Sequence, residues 1–209
     1  MMALAEARRR VWGAAMAYVD PVIATTGHWL QKGIGPRDAV AKLQPACGDV
    51  QLSEETIQEL EARWRQQHDA FHIVLAILGG ALHRLAGFDC EDVQSPADHT
   101  RMVHYLAEIA ADRIAIGDVV QTVEPNGDVR LLLTQRGDSY SFIVPSNGSW
   151  LNVPGTLAGL NQILDRLAVP ERFIELDLGG GGPGLVAFVR LDIFLLAARE
   201  LGIRLGSGL

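Results

Sequence analysis

The sequence is poor in cysteine. Its two cysteines, Cys47 and Cys90, lie far apart, and no Cys-x-x-Cys pair occurs. Zinc ribbons need cysteine pairs at short spacing, and small secreted domains need several disulfides, so the sequence disfavours both classes. We expect two reduced thiols in a cytoplasmic protein.

Long hydrophobic runs are missing as well. The longest apolar stretch, Ile73 to Leu82, has ten residues, whereas a membrane-spanning helix needs roughly 20. The apolar run that follows Arg8-Arg9-Arg10 ends at Asp20-Pro21. It lacks the long core and the cleavage site of a signal peptide, so it favours an amphipathic first helix over residues 3–20. We therefore expect a soluble chain without a membrane partner.

Positive charge is scarce along the whole chain. The 18 Lys and Arg residues stand against 25 Asp and Glu residues, which gives a formal net charge of −7. Residues 1–117 hold 11 basic and 15 acidic side chains, a balance of −4, and residues 118–209 hold 7 and 10, a balance of −3. Neither half can offer a basic surface to a phosphate backbone, so nucleic-acid binding is disfavoured. An acidic surface favours a basic protein partner instead.

The hydrophobic pattern divides the chain near Gly117 into a helical region, 1–117, and an α+β region, 118–209. From Ser53 to about Leu85 apolar residues recur at three- and four-residue steps, which predicts one long amphipathic helix with Ser53 as its N-cap. A further helix is predicted from Ser95. We expect both regions to form one compact unit with a shared core.

After Gly117 the apolar residues recur with period two. Three short strands are predicted, joined by tight turns at residues 126–127 and 136–137; the first of these, Asn-Gly, is typical of a type I′ turn. A helix, two more strands and a last helix that ends at Gly202 follow. The order βββαββα predicts an α+β fold with a mostly antiparallel sheet of about five strands.

The string HDAFH, residues 68–72, has the spacing at which two helical histidines bind zinc in metalloproteases. However, Asp69 is one carbon shorter than the glutamate that acts as general base there, and Leu78 stands where a third ligand belongs. The sequence therefore disfavours a zinc protease. On one long helix, His68, His72 and His83 would form a polar shoulder beside the apolar face.

A wider metal site is the basis of an enzyme alternative. His104 and Glu108 lie four residues apart on the predicted helix that follows Ser95. If that helix faces His68 and His72, the four side chains could bind zinc, iron or manganese in the helical region.

No other motif indicates catalysis or a cofactor. The glycine-rich run at residues 179–184 resembles a phosphate loop only in composition, because it leads into a strand and no Lys-Ser or Lys-Thr follows. Arg136-Gly137-Asp138 is interpreted as a hairpin turn. We therefore name no catalytic residue and no cofactor.

The function that the sequence favours is protein binding without catalysis. An acidic chain of this size fits an immunity protein or antitoxin that neutralises a basic toxin domain by direct binding. Its contact residues are predicted to form an acidic patch of Asp138, Glu171, Glu175 and Asp177. The alternatives are the metal-dependent enzyme and a self-associating scaffold that uses Trp64, Trp150 and the last helix.

Overall fold

The computed structural model describes residues 21–48, 50–88, 98–111, 113–148, 151–177 and 184–206. The helix predicted over residues 3–20 lies outside these ranges. The described α-helices are α1 (Pro21–Lys32), α2 (Pro36–Leu43), α3 (Glu54–Gln67), α4 (Ala70–Leu75), α5 (Asp98–Ile109), α6 (Val153–Arg166) and α7 (Leu191–Leu201). A 3₁₀-helix (Gln44–Cys47) follows α2, and a π-helix (Ala76–Ala81) follows α4. The strands are β1 (Leu85–Phe88), β2 (Ile116–Val123), β3 (Val129–Gln135), β4 (Asp138–Val144), β5 (Glu171–Leu176) and β6 (Gly184–Arg190). No helix in these ranges has the length and apolar character needed to cross a membrane.

The strands form two three-stranded antiparallel sheets, which we call the central sheet (β1-β6-β5) and the outer sheet (β2-β3-β4). The α+β class predicted from the sequence is confirmed. The expected sheet of about five strands is instead two sheets of three, because β1 comes from the predicted helical region and pairs with β6.

The elements are stacked in four layers. Helices α1 to α4 and α7 share one apolar cluster with one face of the central sheet. Helix α5 contacts β1 and β2, and α6 contacts β4 and β5, so these two helices lie between the two sheets. The outer sheet is the last layer, and its inner face packs in a second apolar cluster with α5, α6 and the other face of the central sheet.

The long helix predicted from Ser53 is interrupted in the middle of HDAFH. Ser53 caps α3 as predicted, accepting a bond from Thr56 N, but α3 ends at His68, which adopts a left-handed conformation with φ 47°. The side chain of Asp69 then accepts a bond from His72 N at 3.0 Å and begins α4. The apolar period continues across the break because both helices pack in the same cluster, so periodicity alone does not reveal it.

Other local predictions have mixed outcomes. Helix α7 ends at Gly202 as predicted, with φ 68°. Gly27 lies inside α1, although glycine is an unfavourable residue in a helix interior. In the turn at residues 126–127 only Gly127 has positive φ, since the preceding Pro125 has a fixed negative φ that favours a type I turn. The two positive φ angles of a type I′ hairpin occur at Arg136 (52°) and Gly137 (91°) instead.

Candidate functional site

The outer sheet buries only one of its two faces. Alternate side chains of β3 and β4 point into the second cluster and are buried, namely Val129, Leu131, Leu133, Phe142 and Val144. The side chains between them form the opposite face, which no described element covers. We call this the free face; its residues are Val120, Thr122, Arg130, Leu132, Thr134, Ser139, Ser141 and Ile143.

Three large apolar side chains lie together on the free face. Val120 is 54% exposed, Leu132 42% and Ile143 46%. Val120 is directly opposite Leu132 across β2 and β3. Ile143 on β4 pairs with Arg130, two residues from Leu132 along β3, so it is a diagonal neighbour of Leu132. We call these three residues the apolar strip. Single exposed apolar residues are ordinary on protein surfaces, whereas neighbours on one sheet face make a contiguous patch.

The rim of the outer sheet is acidic. Residues 116–144 contain four carboxylates, Asp118, Glu124, Asp128 and Asp138, and two arginines, a balance of −2. Arg130 donates from Nε to Glu124 Oε1 at 2.7 Å, so its charge is matched within the sheet. The segment that forms the outer sheet therefore has a small net negative charge.

The acidic patch predicted from the sequence is not one surface. Asp138 is exposed at the start of β4, but it pairs with Gln135 and so lies on the side of the sheet opposite the free face. Glu171 lies at the start of β5 in the central sheet and is only 3% exposed, with its Oε1 paired to Arg113 Nε at 3.0 Å. Because the central sheet is covered on both faces, Glu171 is part of the interior, and its predicted place on a surface patch is wrong.

The other two predicted contact residues lie beside the C-terminal segment. Glu175 is half-buried, and burial, aided by the negative charge of Asp177, raises the pKa of its carboxyl. Gly206 N donates to the backbone oxygen of Glu175 at 2.9 Å, and Asp177 N donates to that of Arg204 at 3.2 Å. This segment thus covers the β5 edge, which reduces the acidic surface that Glu175 can offer.

The residues of the enzyme alternative are not brought together. The His68 ring contacts that of Trp64 in a tilted arrangement, with 5.4 Å between ring centroids, and His72 Nδ1 bonds Asp69 Oδ2 at 2.7 Å. Both lie on the side of the central sheet that carries α3 and α4, whereas His104 and Glu108 are on α5, on the opposite side. Within the described ranges no group of three His, Cys, Asp or Glu side chains is placed to hold a metal.

The polar shoulder predicted for the histidines is also wrong. His68 and His83 both have positive φ, 47° and 51°, and both stand outside helices. A helical wheel therefore does not apply to them. Cys47 offers no alternative nucleophile, because burial raises the pKa of its thiol to about 12 and keeps it protonated at neutral pH.

Sequence reasoning missed the free face, although a signal was present. A strand with one buried face should alternate strictly, yet Leu131-Leu132-Leu133 places a leucine on the outward position too. Val119-Val120 and Phe142-Ile143 repeat the departure on the two neighbouring strands. Their alignment across the sheet depends on register, which only the structure supplies.

Comparison with known proteins offers no function to carry over. No protein-family model, curated protein or solved structure matches the chain. Its function is therefore inferred from its own geometry.

Proposed function

We propose that the chain is a protein-binding module that docks its partner on the free face of the outer sheet. The observation that carries this proposal is the apolar strip of Val120, Leu132 and Ile143, three neighbouring side chains that are each about half exposed. Full burial of such a side chain is worth about 1.5–3 kcal/mol. Because roughly half of each side chain stays exposed after folding, a partner that covers the strip gains roughly half of this burial free energy.

The acidic rim narrows the class of partner. The net charge of −2 on the segment that contains the apolar strip complements a protein whose contact surface has an apolar centre and basic edges. It repels nucleic acid and anionic membranes at long range.

The specific form of the proposal is neutralisation of a basic toxin domain, in the manner of an immunity protein or antitoxin. Tight occupation of a surface is sufficient to block an enzyme's active site, so a neutraliser needs no catalytic group of its own. The acidic rim supports this form because attraction between opposite charges raises the rate at which two proteins associate. A neutraliser must bind its toxin quickly.

The experiment is affinity capture from the native cell with three forms of the full chain. The first is wild type, and the second is the double variant Val120→Ser and Leu132→Ser. The third is a matched control, Leu195→Ser and Leu196→Ser on α7, which removes side chains that are 41% and 59% exposed far from the outer sheet. We expect a stoichiometric basic protein with wild type and control, and at least tenfold weaker binding to the double variant.

Three results would contradict the proposal in different ways. If no stoichiometric partner is captured, the chain is not a protein-binding module. If the double variant binds the partner as well as wild type does, the free face is not the binding surface. If the captured protein has a toxic enzymatic activity that the chain does not inhibit, the neutralising form fails. Sedimentation distinguishes the scaffold alternative from binding of a different protein. If wild type is a homodimer and the double variant is a monomer, the free face binds a second copy of the chain.

A further inference from the structure

We propose that His99 makes the docking of α5 between the two sheets sensitive to acid. This inference goes beyond the binding function and does not depend on it. His99 lies in the first turn of α5 and is 6% exposed. Neither of its ring nitrogens has a hydrogen-bond partner among the described residues. A buried imidazole without an acceptor has nothing to stabilise its charged form.

The surroundings of His99 favour the neutral ring. Burial lowers the pKa of the imidazole, and the charge of Asp98 opposes that effect only in part. Asp98 is itself paired with Arg101 Nη2 at 3.3 Å. Of the strands that pack against α5, β1 contains no titratable residue and β2 contains only Asp118, which is exposed. The positive end of the α5 dipole further disfavours a cation in the first turn.

Helix α5 is well placed to transmit the protonation of His99. It contacts β1 of the central sheet and β2 of the outer sheet, and its Met102, Val103 and Leu106 are buried in the cluster between them. Its first turn is tied to β2 through a bond from Thr100 Oγ1 to Gln121 Oε1 at 3.3 Å. Loosening of α5 therefore disrupts the apolar packing that holds the outer sheet against the rest of the chain.

The direction of the effect follows from the lowered pKa. When α5 is released, His99 regains its ordinary pKa of about 6.5, so the released form binds a proton more readily than the docked form. Docking is therefore complete above about pH 6.5 and weakens as the pH falls toward the lower pKa of the docked state. For a single proton, the opening equilibrium rises by at most about tenfold per pH unit in that window.

The test is hydrogen exchange of the α5 amides at pH 7, 6 and 5, corrected for the intrinsic pH dependence of exchange. Wild type is compared with His99→Gln, which keeps a polar side chain, and His99→Met, which is apolar. His104→Gln is the matched control, because His104 is exposed on the same helix. We expect wild type and His104→Gln to lose protection in acid, by up to about tenfold per pH unit, and both His99 variants to keep it.

The proposal is overturned if protection of α5 in wild type does not change with pH, or if the loss persists in both His99 variants. Should the variants fail to fold, titration of the His99 ring by NMR in the wild-type chain decides the question. A ring pKa below the ordinary value of about 6.5 supports the proposal. A value at or above it overturns the proposal.

Discussion

The two sheets have the same number of antiparallel strands but opposite relations to solvent. The central sheet is covered on both faces: Ile174, Leu176 and Val189 pack in one cluster, and Phe173 and Phe188 pack in the other. The described residues cover the outer sheet on one face only. In the first sheet every apolar side chain has a partner within the chain. In the second, four are left out of both clusters: Val120, Leu132 and Ile143 on the free face, and Val123 at the end of β2. That difference is what supports the proposed binding function.

The comparison also explains why acidic residues have different roles in the two sheets. Glu171 is carried into the interior with the central sheet and paired there with Arg113. The carboxylates of the outer sheet remain at a solvent-exposed rim. Charge counted from the sequence does not separate these two groups, because it contains no information about which strand is covered.

The largest expected effect is the loss of an aromatic side chain from the central sheet. Phe188 is fully buried, contacts Phe173 with ring centroids 4.8 Å apart, and lies beneath the Arg84 guanidinium. Phe188→Ala should lower the free energy of unfolding by about 3–5 kcal/mol, measured by urea denaturation. A loss below about 1 kcal/mol would mean that this face of the sheet is not tightly covered.

A smaller loss is expected where α6 meets the covered face of the outer sheet. A Cβ added at Gly159 would lie 2.0 Å from Phe142. Gly159→Ala should therefore destabilise the chain by about 1–3 kcal/mol through overpacking, despite a gain of up to about 1 kcal/mol in helix propensity. Thermal or urea unfolding measures it.

Gly27→Ala in α1 is the matched control for that prediction. A Cβ there meets no atom within 4 Å, so only the propensity gain remains and the variant should be more stable than wild type. Equal effects of the two substitutions would show that α6 does not press on Phe142.

Glu175 tests how well the β5 edge is covered. Its pKa is raised in the folded state, so the folded state binds a proton more readily than the unfolded one and loses stability as the pH rises through that pKa. Glu175→Gln should then be modestly stabilising at pH 7 and neutral at low pH. Urea unfolding at several pH values measures this, with Glu59→Gln on the exposed surface of α3 as control. A gain that is independent of pH would argue against burial as its cause.

The smallest loss from removing an apolar side chain is expected on the free face. Leu132→Ser should lower the free energy of unfolding by only about 1 kcal/mol, because a 42% exposed side chain contributes only part of the burial free energy of a core leucine, while it weakens partner binding. Denaturation and capture of the partner measure the two quantities separately. A large loss of stability would mean that Leu132 contributes to the core, and the contrast between the two sheets would disappear.

The sequence by itself determined most of the local structure. Period-two alternation located β2, β3 and β4, Ser53 and Gly202 marked a helix start and a helix end, and Gly137 marked a hairpin. These features depend on backbone preferences and short-range hydrogen bonds, which neighbouring residues control. The α+β class followed from the order of the elements.

Only the tertiary structure decided what is covered and what is free. The pairing of β1 with β6 joins residues about 100 positions apart, and no local pattern encodes it. That pairing builds a central sheet with two covered faces, in which Glu171 is buried. The same sheet separates His68 and His72 from His104 and Glu108. The outer sheet is left as the last layer. Burial and exposure depend on contacts between distant segments, so the apolar strip becomes a candidate site only once the layers are in place.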